Sequence, residues 1–368
     1  LTSCSPSGPY PASSSFALHS IPLPMAHIVI DLNDQRPVWA QPDWFAGEVG
    51  AALPPDWTLA VMATPSEGTG DGSTRVHPDV LEAVKDARVY MGFGIPAELL
   101  KAAPALEWVH TGSAGVGSSL TPEMLRRDLV FTNSAGIHGP PMAEAVLGMI
   151  LHFSRGFDLA QAAKARREWD TSAFYEADAP LVEVSASTVG ILGLGGIGRE
   201  VAWRCAALGA RVLGLKRSPG GDVPDGVEAL HGKAGFHRLL AESDFLVVTA
   251  PDTPETRGMM DAEAFGRMKE GSVYINVARG KIADEAALAD ALRTGRLRGA
   301  GLDVFAREPL AADSPFWGMD NVLVTPHVSP VTRHFWRREA ELVLHNLRCL
   351  LEGRPGEMRN VVDKAAGY

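Results

Sequence analysis

Short apolar runs alternate with amphipathic stretches along most of the chain, a pattern typical of α/β proteins. The strands predicted in the first third of the chain lie at residues 28–31, 59–63, 87–91 and 106–111. A helix is predicted at 78–85, and residues 64–74, which are rich in Gly, Ser and Thr, predict a surface loop. We therefore expect this region to form one α/β unit.

The same alternation continues after a long helix predicted at 140–157, whose early prolines suit a first helical turn. The strands predicted beyond it lie at residues 188–192, 211–215, 245–250, 273–277, 299–304 and 322–325. Helical patterns separate most of them, which predicts a parallel sheet with right-handed crossovers. A final helix is predicted at 332–352, followed by Gly353 as its C-terminal cap.

These elements predict an α/β fold of two Rossmann-like domains with parallel sheets and a cleft between them. Because the last helix is expected to return to the N-terminal unit, we assign residues 25–137 and 328–355 to a discontinuous, flavodoxin-like first domain. The second domain, residues 138–327, is inserted in it. Residues 1–24, rich in Ser and Pro, are interpreted as a disordered tail or a remnant of cloning, and 356–368 as a C-terminal tail.

Composition narrows the function classes. The chain has 368 residues, of which 46% are hydrophobic, and lacks the run of about 18 apolar residues that a membrane span requires. Its net charge of −10 disfavours binding to nucleic acid. The 3 cysteines show no paired spacing, so we expect neither a disulfide framework nor a metal site, and a reducing cytoplasm fits.

A glycine-rich turn lies between the strand predicted at 188–192 and a helical pattern that starts at Arg199. This context is typical of a dinucleotide-binding fingerprint, in which glycines permit a tight turn, close approach of the pyrophosphate and helix–strand packing. The helix N-terminus adds N–H groups and partial positive charge that suit phosphate. The residues predicted to bind the cofactor here are Gly193, Gly195, Gly196, Ile197 and Gly198.

The end of the next predicted strand indicates which dinucleotide is bound. NAD-selective sites place Asp or Glu there, whereas this chain has Lys216, Arg217 and Ser218, and the first acid after them is Asp222. Two cations and a hydroxyl suit a 2′-phosphate. We therefore expect NADP(H) to be preferred, with NAD(H) possible.

Three polar residues follow strands of the same predicted sheet. Arg279 follows the strand at 273–277, Glu308 comes after the strand at 299–304, and His327 comes after the strand at 322–325. Because the carboxyl ends of parallel strands meet at one edge, we expect these side chains to converge beside the cofactor. An Arg, a Glu and a His at one place suit acid–base chemistry on a charged substrate without a metal.

With these residues in place, the chain resembles the D-2-hydroxyacid dehydrogenase family, and within it the NADPH-preferring glyoxylate/hydroxypyruvate reductase branch. The matching stretches are TVGILGLGGIGREVA at 188–202, TPETRG at 253–258, MKEGSVYINVARGKIADE at 268–285, GLDVFAREP at 301–309 and TPHVS at 325–329. The resemblance implies hydride transfer between a nicotinamide and a small 2-keto or 2-hydroxy acid. It implies that His327 donates the proton, Glu308 orients the imidazole and Arg279 binds the keto oxygen and the carboxylate.

Further roles come from the resemblance alone. Backbone N–H groups of Ala114, Gly115 and Val116 would hold the substrate carboxylate. The cofactor would contact Ala250, Pro251 and Thr256 on its adenine side and Val277, Ala278 and Asp303 on its nicotinamide side. A homodimer is implied around the helix that starts near Pro140 and the segment up to about Ala186. Two departures stand out, since Gly117 replaces a common Asp and Asp252 a common nonpolar residue.

Other functions stay open at this point. A related dehydrogenase could act on formate, a phosphorus oxyacid, a phenylpyruvate-like acid or a phosphorylated acid, the last of which needs extra cations such as Lys85, Arg88 or Lys101. Residues 91–94 and Trp336 are candidates for the substrate side-chain pocket. A nucleotide-sensing binding protein and a hydrolase that keeps its NAD bound are the alternatives from other classes.

Overall fold

The computed structural model describes residues 26–64, 66–68, 74–217, 220 and 223–367. The predicted tail at 1–24 and the predicted cofactor residue Ser218 lie outside the described residues. None of the described helices is both long and apolar enough to cross a membrane.

The first part of the chain forms a parallel sheet flanked by helices. Its strands are β1 (Ala26–Asp31), β2 (Trp57–Val61), β3 (Glu67–Gly68), β4 (Thr74–Arg75), β5 (Val89–Gly92), β6 (Trp108–Thr111) and β7 (Val130–Asn133). Its helices are α1 (Asp43–Ala51), α2 (Pro78–Ala83), α3 (Ala97–Ala102) and α4 (Pro122–Arg126). Five strands pair in the order β2-β1-β5-β6-β7, and β3 and β4 form a small antiparallel hairpin.

The second part forms a larger parallel sheet. Its strands are β8 (Thr188–Leu192), β9 (Arg211–Lys216), β10 (Val227–His231), β11 (Phe245–Val248), β12 (Ser272–Asn276), β13 (Leu297–Leu302) and β14 (Val322–Val324). The helices from the first crossing onward are α5 (Gly139–Ser154), α6 (Phe157–Arg166), α7 (Ser172–Tyr175), α8 (Gly196–Ala207), α9 (Gly232–Glu242), α10 (Ala262–Arg267), α11 (Glu285–Arg293) and α12 (Phe335–Leu351). Single 3₁₀ turns lie at Val184–Ala186, Gly280–Ile282, Pro315–Gly318 and Pro355–Glu357.

The second sheet has the order β10-β9-β8-β11-β12-β13-β14 and is parallel throughout. Its central strands are apolar and buried on both faces because helices cover both sides. The connections leave β8 in one direction and β11 in the other. This reversal creates a crevice at the carboxyl ends of β8 and β11, where ligands bind in folds of this kind.

The fold class agrees with the sequence prediction, and the differences concern short elements. The strand at the sheet edge, β10, and the four-residue strand β7 were not predicted. β10 carries the sequence VEALH, which is only partly buried, so its apolar signal is weak. The predicted final helix starts three residues too early, and Gly353 adopts φ +67° just beyond it, as expected for a C-terminal cap.

The last helix packs on the sheet of the first part of the chain. Phe335, Val343 and Leu347 of α12 are buried in one core with Ile30 of β1 and Trp108 of β6. The following segment also returns to this sheet rather than extending away from it. There the N–H of Val362 donates to the carbonyl of Phe131 over 2.8 Å.

Helix α5 contributes its apolar stripe to the core of the second sheet. Met142, Val146 and Ile150 pack there beside Val189, and Leu147 is partly buried against the same cluster. This stripe serves internal packing. The exposed apolar residues of the region lie elsewhere, at Leu151, Phe157, Trp169, Tyr175 and Val182.

Candidate active site

The glycine-rich turn has the geometry that a pyrophosphate needs. Gly193 has φ +106°, and a Cβ there would lie 2.8 Å from the backbone of Ala250. A Cβ on Gly198 would overlap the carbonyl oxygen of Gly193. Gly195, in contrast, faces open space and precedes the first turn of α8. The protein itself requires two of these glycines, and the third leaves room for a ligand at a helix N-terminus.

Cationic residues lie at the carboxyl end of β9, as predicted. The ammonium of Lys216 donates to the carbonyl of Gly220 over 2.6 Å, and Arg217 is exposed. His231, at the end of β10, pairs in register with Lys216. Its Nδ1 lies 3.3 Å from the Lys216 carbonyl oxygen. His231 was missed because β10 was missed, and the sequence VEALH gives only a weak strand signal.

The loops after β11 and β12 border the same crevice. Ala250, Val277 and Ala278 are buried. The hydroxyl of Thr256 donates to the Pro251 carbonyl over 2.6 Å, so this residue also shapes its own loop. No group of side chains suited to hold a metal ion occurs in the described part of the chain.

The unusual acid at position 252 has a partner within its loop. Arg257 makes two hydrogen bonds to the Asp252 carboxylate, over 3.1 Å and 2.9 Å. This ion pair therefore replaces the nonpolar rim that the family pattern suggests.

His327 and Glu308 meet directly. The Nδ1 of His327 lies 2.8 Å from Oε2 of Glu308, and the other carboxylate oxygen accepts the N–H of Phe305 over 2.9 Å. The His327 side chain is 30% exposed, so part of the ring is open to solvent. Its backbone has φ +55°, a left-handed conformation that is uncommon outside glycine.

Asp303 holds the loop that carries His327. Its fully buried carboxylate accepts the Thr325 hydroxyl over 2.7 Å and the N–H groups of Val328 and Ser329 over 2.9 Å and 3.1 Å. The N–H of His327 also donates to the Asp303 carbonyl over 2.8 Å. Both carboxylate oxygens therefore accept hydrogen bonds from this loop. The contact of Asp303 with the nicotinamide stays a prediction.

Arg279 reaches across the cleft to the other sheet. One guanidinium nitrogen donates to the Ala278 carbonyl over 2.7 Å. The other nitrogen, Nη2, lies 2.8 Å from where a Cβ on Gly115 would be. The structure thus brings Arg279 against the predicted substrate loop, and a larger residue at 115 would occupy the same space.

The loop after β6 presents unpaired N–H groups beside Arg279. Within the described residues, the N–H groups of Ala114, Gly115 and Val116 donate to no other group. Consecutive N–H groups of this kind form a nest for an anion. The carbonyls of the loop are fixed from behind, since the Asn133 amide donates to Ala114 over 2.9 Å and the Ser134 N–H to Ser113 over 3.2 Å.

Aromatic residues form the floor below this loop. Trp336, a candidate for the side-chain pocket, is buried against Phe45, Phe93 and Phe335 and therefore belongs to the core. His138 stacks on Phe335 with ring centroids 5.3 Å apart. Burial lowers the pKa of His138, although the nearby Glu339 carboxylate opposes this effect.

The additional cations of the first sheet lie away from the cleft. Arg88 precedes β5 and forms an ion pair of 2.7 Å with Glu107, which precedes β6. Both residues are therefore at the amino edge of the sheet, opposite the loop at 113–116. Lys85 pairs with Glu82 on the helix side of the same edge.

Comparison with known proteins identifies the family to which the chain belongs. The family model described as the NAD-binding domain of D-isomer specific 2-hydroxyacid dehydrogenases matches residues 147–329. A D-3-phosphoglycerate dehydrogenase of Mycobacterium leprae is 37% identical over 261 residues. That match covers 70% of this chain and 48% of the relative, so the chain spans about half the length of this curated protein.

Solved structures match over almost their whole length. A D-isomer specific 2-hydroxyacid dehydrogenase from Xanthobacter autotrophicus Py2, in complex with NADPH and MES, is 31% identical with a TM-score of 0.75. The match covers 94% of this chain and 100% of that one. An NADPH-dependent glyoxylate/hydroxypyruvate reductase from Sinorhizobium meliloti, in complex with NADP and sulfate, is 31% identical with a TM-score of 0.73, covering 93% and 100%.

Proposed function

Because the chain belongs to the D-isomer specific 2-hydroxyacid dehydrogenase family, we propose that it reduces a small 2-keto acid to the D-2-hydroxy acid with NADPH. Glyoxylate and hydroxypyruvate are the substrates we favour. The observation that carries the proposal is that His327 is paired with Glu308 at a strand end of the second sheet, while Arg279 of the same sheet lies against the loop whose N–H groups are unpaired. A keto acid needs a proton donor for its carbonyl oxygen, the role proposed for His327, and donors for its carboxylate, the role proposed for Arg279 and the loop.

The chain's own residues supply everything except the hydride, which NADPH supplies when bound. The N–H groups at 114–116 and the Arg279 guanidinium bind the substrate carboxylate and fix its orientation. Arg279 also stabilises negative charge on the carbonyl oxygen as the carbon is reduced. The Nε2–H of His327 gives its proton to that oxygen, and Glu308 at Nδ1 keeps the ring oriented.

The residues that would hold NADPH are divided between two edges of the crevice. The turn at 193–198 and the start of α8 would bind the pyrophosphate, and the open space at Gly195 fits this role. Lys216, Arg217 and Ser218 would bind the 2′-phosphate. The relatives from Xanthobacter and Sinorhizobium, each in complex with this cofactor type, support the choice.

Small substrates are favoured over phosphorylated ones. A phosphate would need a further cation at the cleft, but Arg88 is engaged by Glu107 at the opposite edge of its sheet. The complete set of Arg279, Glu308 and His327 also argues against a protein that only senses the nucleotide, because such a protein has no use for an acid catalyst.

The proposal also covers the roles of the two domains and the oligomeric state. Residues 25–137 with 328–355 would bind the substrate, and 138–327 the cofactor. A homodimer is supported by Trp169 and Tyr175, which are 97% and 85% exposed in the segment after α6. Two buried, unpaired cysteines, Cys205 and Cys349, suit the reducing cytoplasm.

The decisive experiment is steady-state oxidation of NADPH, with NADH in parallel, against glyoxylate, hydroxypyruvate, pyruvate and phenylpyruvate. We expect turnover with NADPH on glyoxylate or hydroxypyruvate and weaker turnover with NADH. Tight binding of NADPH without turnover of any of these acids would refute the proposed reaction. Equal or better turnover with NADH would refute the proposed cofactor preference.

A further inference from the structure

A fully buried polar network lies behind the substrate loop and joins three segments that are far apart in the sequence. Glu339 of α12 and His110 of β6 have no exposed side-chain surface. The Nε2 of His110 lies 2.7 Å from Oε1 of Glu339. The hydroxyl of Ser134, just after β7, donates to the other oxygen of Glu339 over 2.8 Å. One carboxylate therefore connects β6, the end of β7 and α12.

The network is extended on its other side by two more side chains. Thr132 of β7 lies 2.8 Å from Nδ1 of His110, and its hydroxyl oxygen accepts the indole N–H of Trp108 over 2.8 Å. His110 is therefore held at both nitrogens. A buried imidazole fixed in this way fixes the strand that carries it.

This strand leads directly to the substrate loop. Only Thr111 and Gly112 separate His110 from the loop at 113–116. Ser134 lies 3.0 Å from the Thr111 carbonyl through its hydroxyl and 3.2 Å from the Ser113 carbonyl through its N–H. The same serine thus touches Glu339 on one side and the start of the loop on the other.

Both crossings between the two sheets end at this network. The first crossing leaves β7 through Ser134 and reaches α5 at Gly139, and the second follows His327 and enters α12 four residues before Glu339. A buried polar group left without its partner is costly, so the three segments keep one arrangement.

We propose that Glu339 is a positioning residue for the reaction, and that its buried carboxylate, shared by His110 and Ser134, holds the anion-binding N–H groups at 114–116 in line with Arg279. Glu339 does not touch the substrate. It acts through β6 and Ser134, so its loss displaces the loop while the cofactor crevice of the second sheet keeps its shape. The inference rests on the proposed reduction of a keto acid.

The chain provides a matched control on the same helix. Leu347 is also buried, and its side chain packs in the core that α12 shares with Ile30 and Trp108. It lies two turns after Glu339 and takes no part in the polar network. Truncation of Leu347 therefore costs stability and leaves the hydrogen bonds of the network in place.

The test compares Glu339→Met, Glu339→Gln and Leu347→Ala. Methionine keeps the volume but removes both hydrogen bonds, and we expect KM for the keto acid to rise at least about fivefold, with the dissociation constant of NADPH changed by less than about twofold. Glutamine keeps an acceptor for His110 and polar contact with Ser134, so it should restore KM to within about twofold of wild type. Leu347→Ala should lower the melting temperature and leave KM unchanged.

Hydrogen exchange gives a readout that does not depend on turnover. The hydrogen-bonded amides of Gly112 and Ser134, which hold the start of the loop, should exchange at least about tenfold faster in Glu339→Met than in wild type, and at the wild-type rate in Leu347→Ala. Should Glu339→Met fail to fold, Ser134→Ala removes only the bridging hydroxyl and should raise KM and amide exchange in the same direction.

The outcomes separate this inference from the proposed function. Wild-type KM and wild-type exchange in Glu339→Met, or an equal rise of KM in Leu347→Ala, would overturn the positioning role. A wild-type protein that turns over no keto acid would refute the proposed reaction, while exchange of the Gly112 and Ser134 amides would still test the positioning of the loop.

Discussion

The two sides of the cleft are built in opposite ways. The second sheet contributes side chains, namely Arg279, Glu308 and His327, each on a loop at a strand end. The first sheet contributes backbone N–H groups at 114–116, whose own side chains are small. One side carries its chemistry in residue types, and the other carries it in the conformation of a loop. The first is therefore sensitive to single substitutions in the site, and the second to substitutions behind it.

The support behind each side differs accordingly. On the second sheet, Asp303 holds the His327 loop from the adjacent strand end, through three donors in positions 325–329. On the first sheet, the support comes from Asn133, Ser134 and, through His110, the distant Glu339. Short-range support accompanies the acid–base chemistry, and long-range support accompanies the binding of the carboxylate.

The largest effect on turnover is expected for His327, on the side of the cleft that the second sheet forms. His327→Ala removes the proton donor, so kcat should fall at least about a hundredfold while NADPH binding, measured by fluorescence titration, is unchanged. His334→Ala, an exposed histidine seven residues later, is the control and should turn over like wild type. Unchanged kcat in His327→Ala would remove the basis for assigning the chemistry to the second sheet.

A smaller effect, on KM for the cofactor, is expected for Arg217 at the end of β9 in the second sheet. Arg217→Ala removes a charge-assisted contact with the 2′-phosphate, so KM for NADPH should rise about tenfold while KM for NADH stays the same. Arg211→Ala, at the amino end of the same strand and paired with Glu228, is the matched control. An equal rise of KM for both cofactors would contradict the assignment of Arg217 to the 2′-phosphate.

Substitutions behind the loop at 114–116, on the first-sheet side of the cleft, should change KM for the keto acid. Asn133→Ala removes the hydrogen bond to the Ala114 carbonyl and the one that Asn133 accepts from the Ala135 N–H. The bond to the loop is worth about 1 kcal/mol, so KM for the keto acid should rise about fivefold. The value of kcat should change less. Asn321→Ala, remote from the cleft at the start of β14, should leave KM unchanged. A large loss of kcat with a normal KM in Asn133→Ala would show that the two halves do not divide the work as described.

The smallest effect, on melting temperature, is expected for His138, which stacks on Phe335 below the loop at 114–116. Burial lowers its pKa below the ordinary value of about 6.5, so the unfolded chain binds this proton more readily than the folded one. Its contribution to stability is complete above pH 6.5 and is lost as the pH falls below that value. His138→Phe, which retains the stacking on Phe335, should therefore lose less melting temperature than wild type, by a few degrees at most, between pH 7.5 and 5.5.

His27 and His152, whose pKa values burial also lowers, remain in that variant and preserve part of the acid sensitivity. Differential scanning calorimetry at the two pH values gives the comparison. An equal loss of melting temperature in wild type and His138→Phe would exclude His138 as a source of the effect.

The contrast between the two halves also explains what the sequence could predict. Some site residues could be predicted because their residue types indicate their chemistry. These are the glycine turn, Lys216 with Arg217, and the set of Arg279, Glu308 and His327. Their positions after strands of one parallel sheet predict that they lie at one edge. The loop at 113–116 was identified by family resemblance, since a short run of small residues has no chemical signature. The role of Asp303 in holding the His327 loop was also not predicted from its position.

The pairing of His110 with Glu339 had no signal in the sequence at all. The two residues are 229 positions apart, and each falls within an element whose periodicity predicts only burial. The same holds for Asn133, the last residue of β7, and for Ser134, which follows it, because β7 was not predicted. Contacts between distant segments depend on tertiary packing, and a local pattern does not contain that information.

The return of α12 to the first sheet has a consequence for biosynthesis. One face of that sheet, including Ile30 and Trp108, is covered by residues from Phe335 onward. On the ribosome, the strands that emerge first must therefore wait until the whole second sheet has been translated before their core is closed. The second sheet is continuous in the chain and can fold as soon as it emerges. During translation the second sheet can therefore fold before the first sheet is complete. Until α12 has been translated, the first sheet is the part of the nascent chain most in need of protection by chaperones.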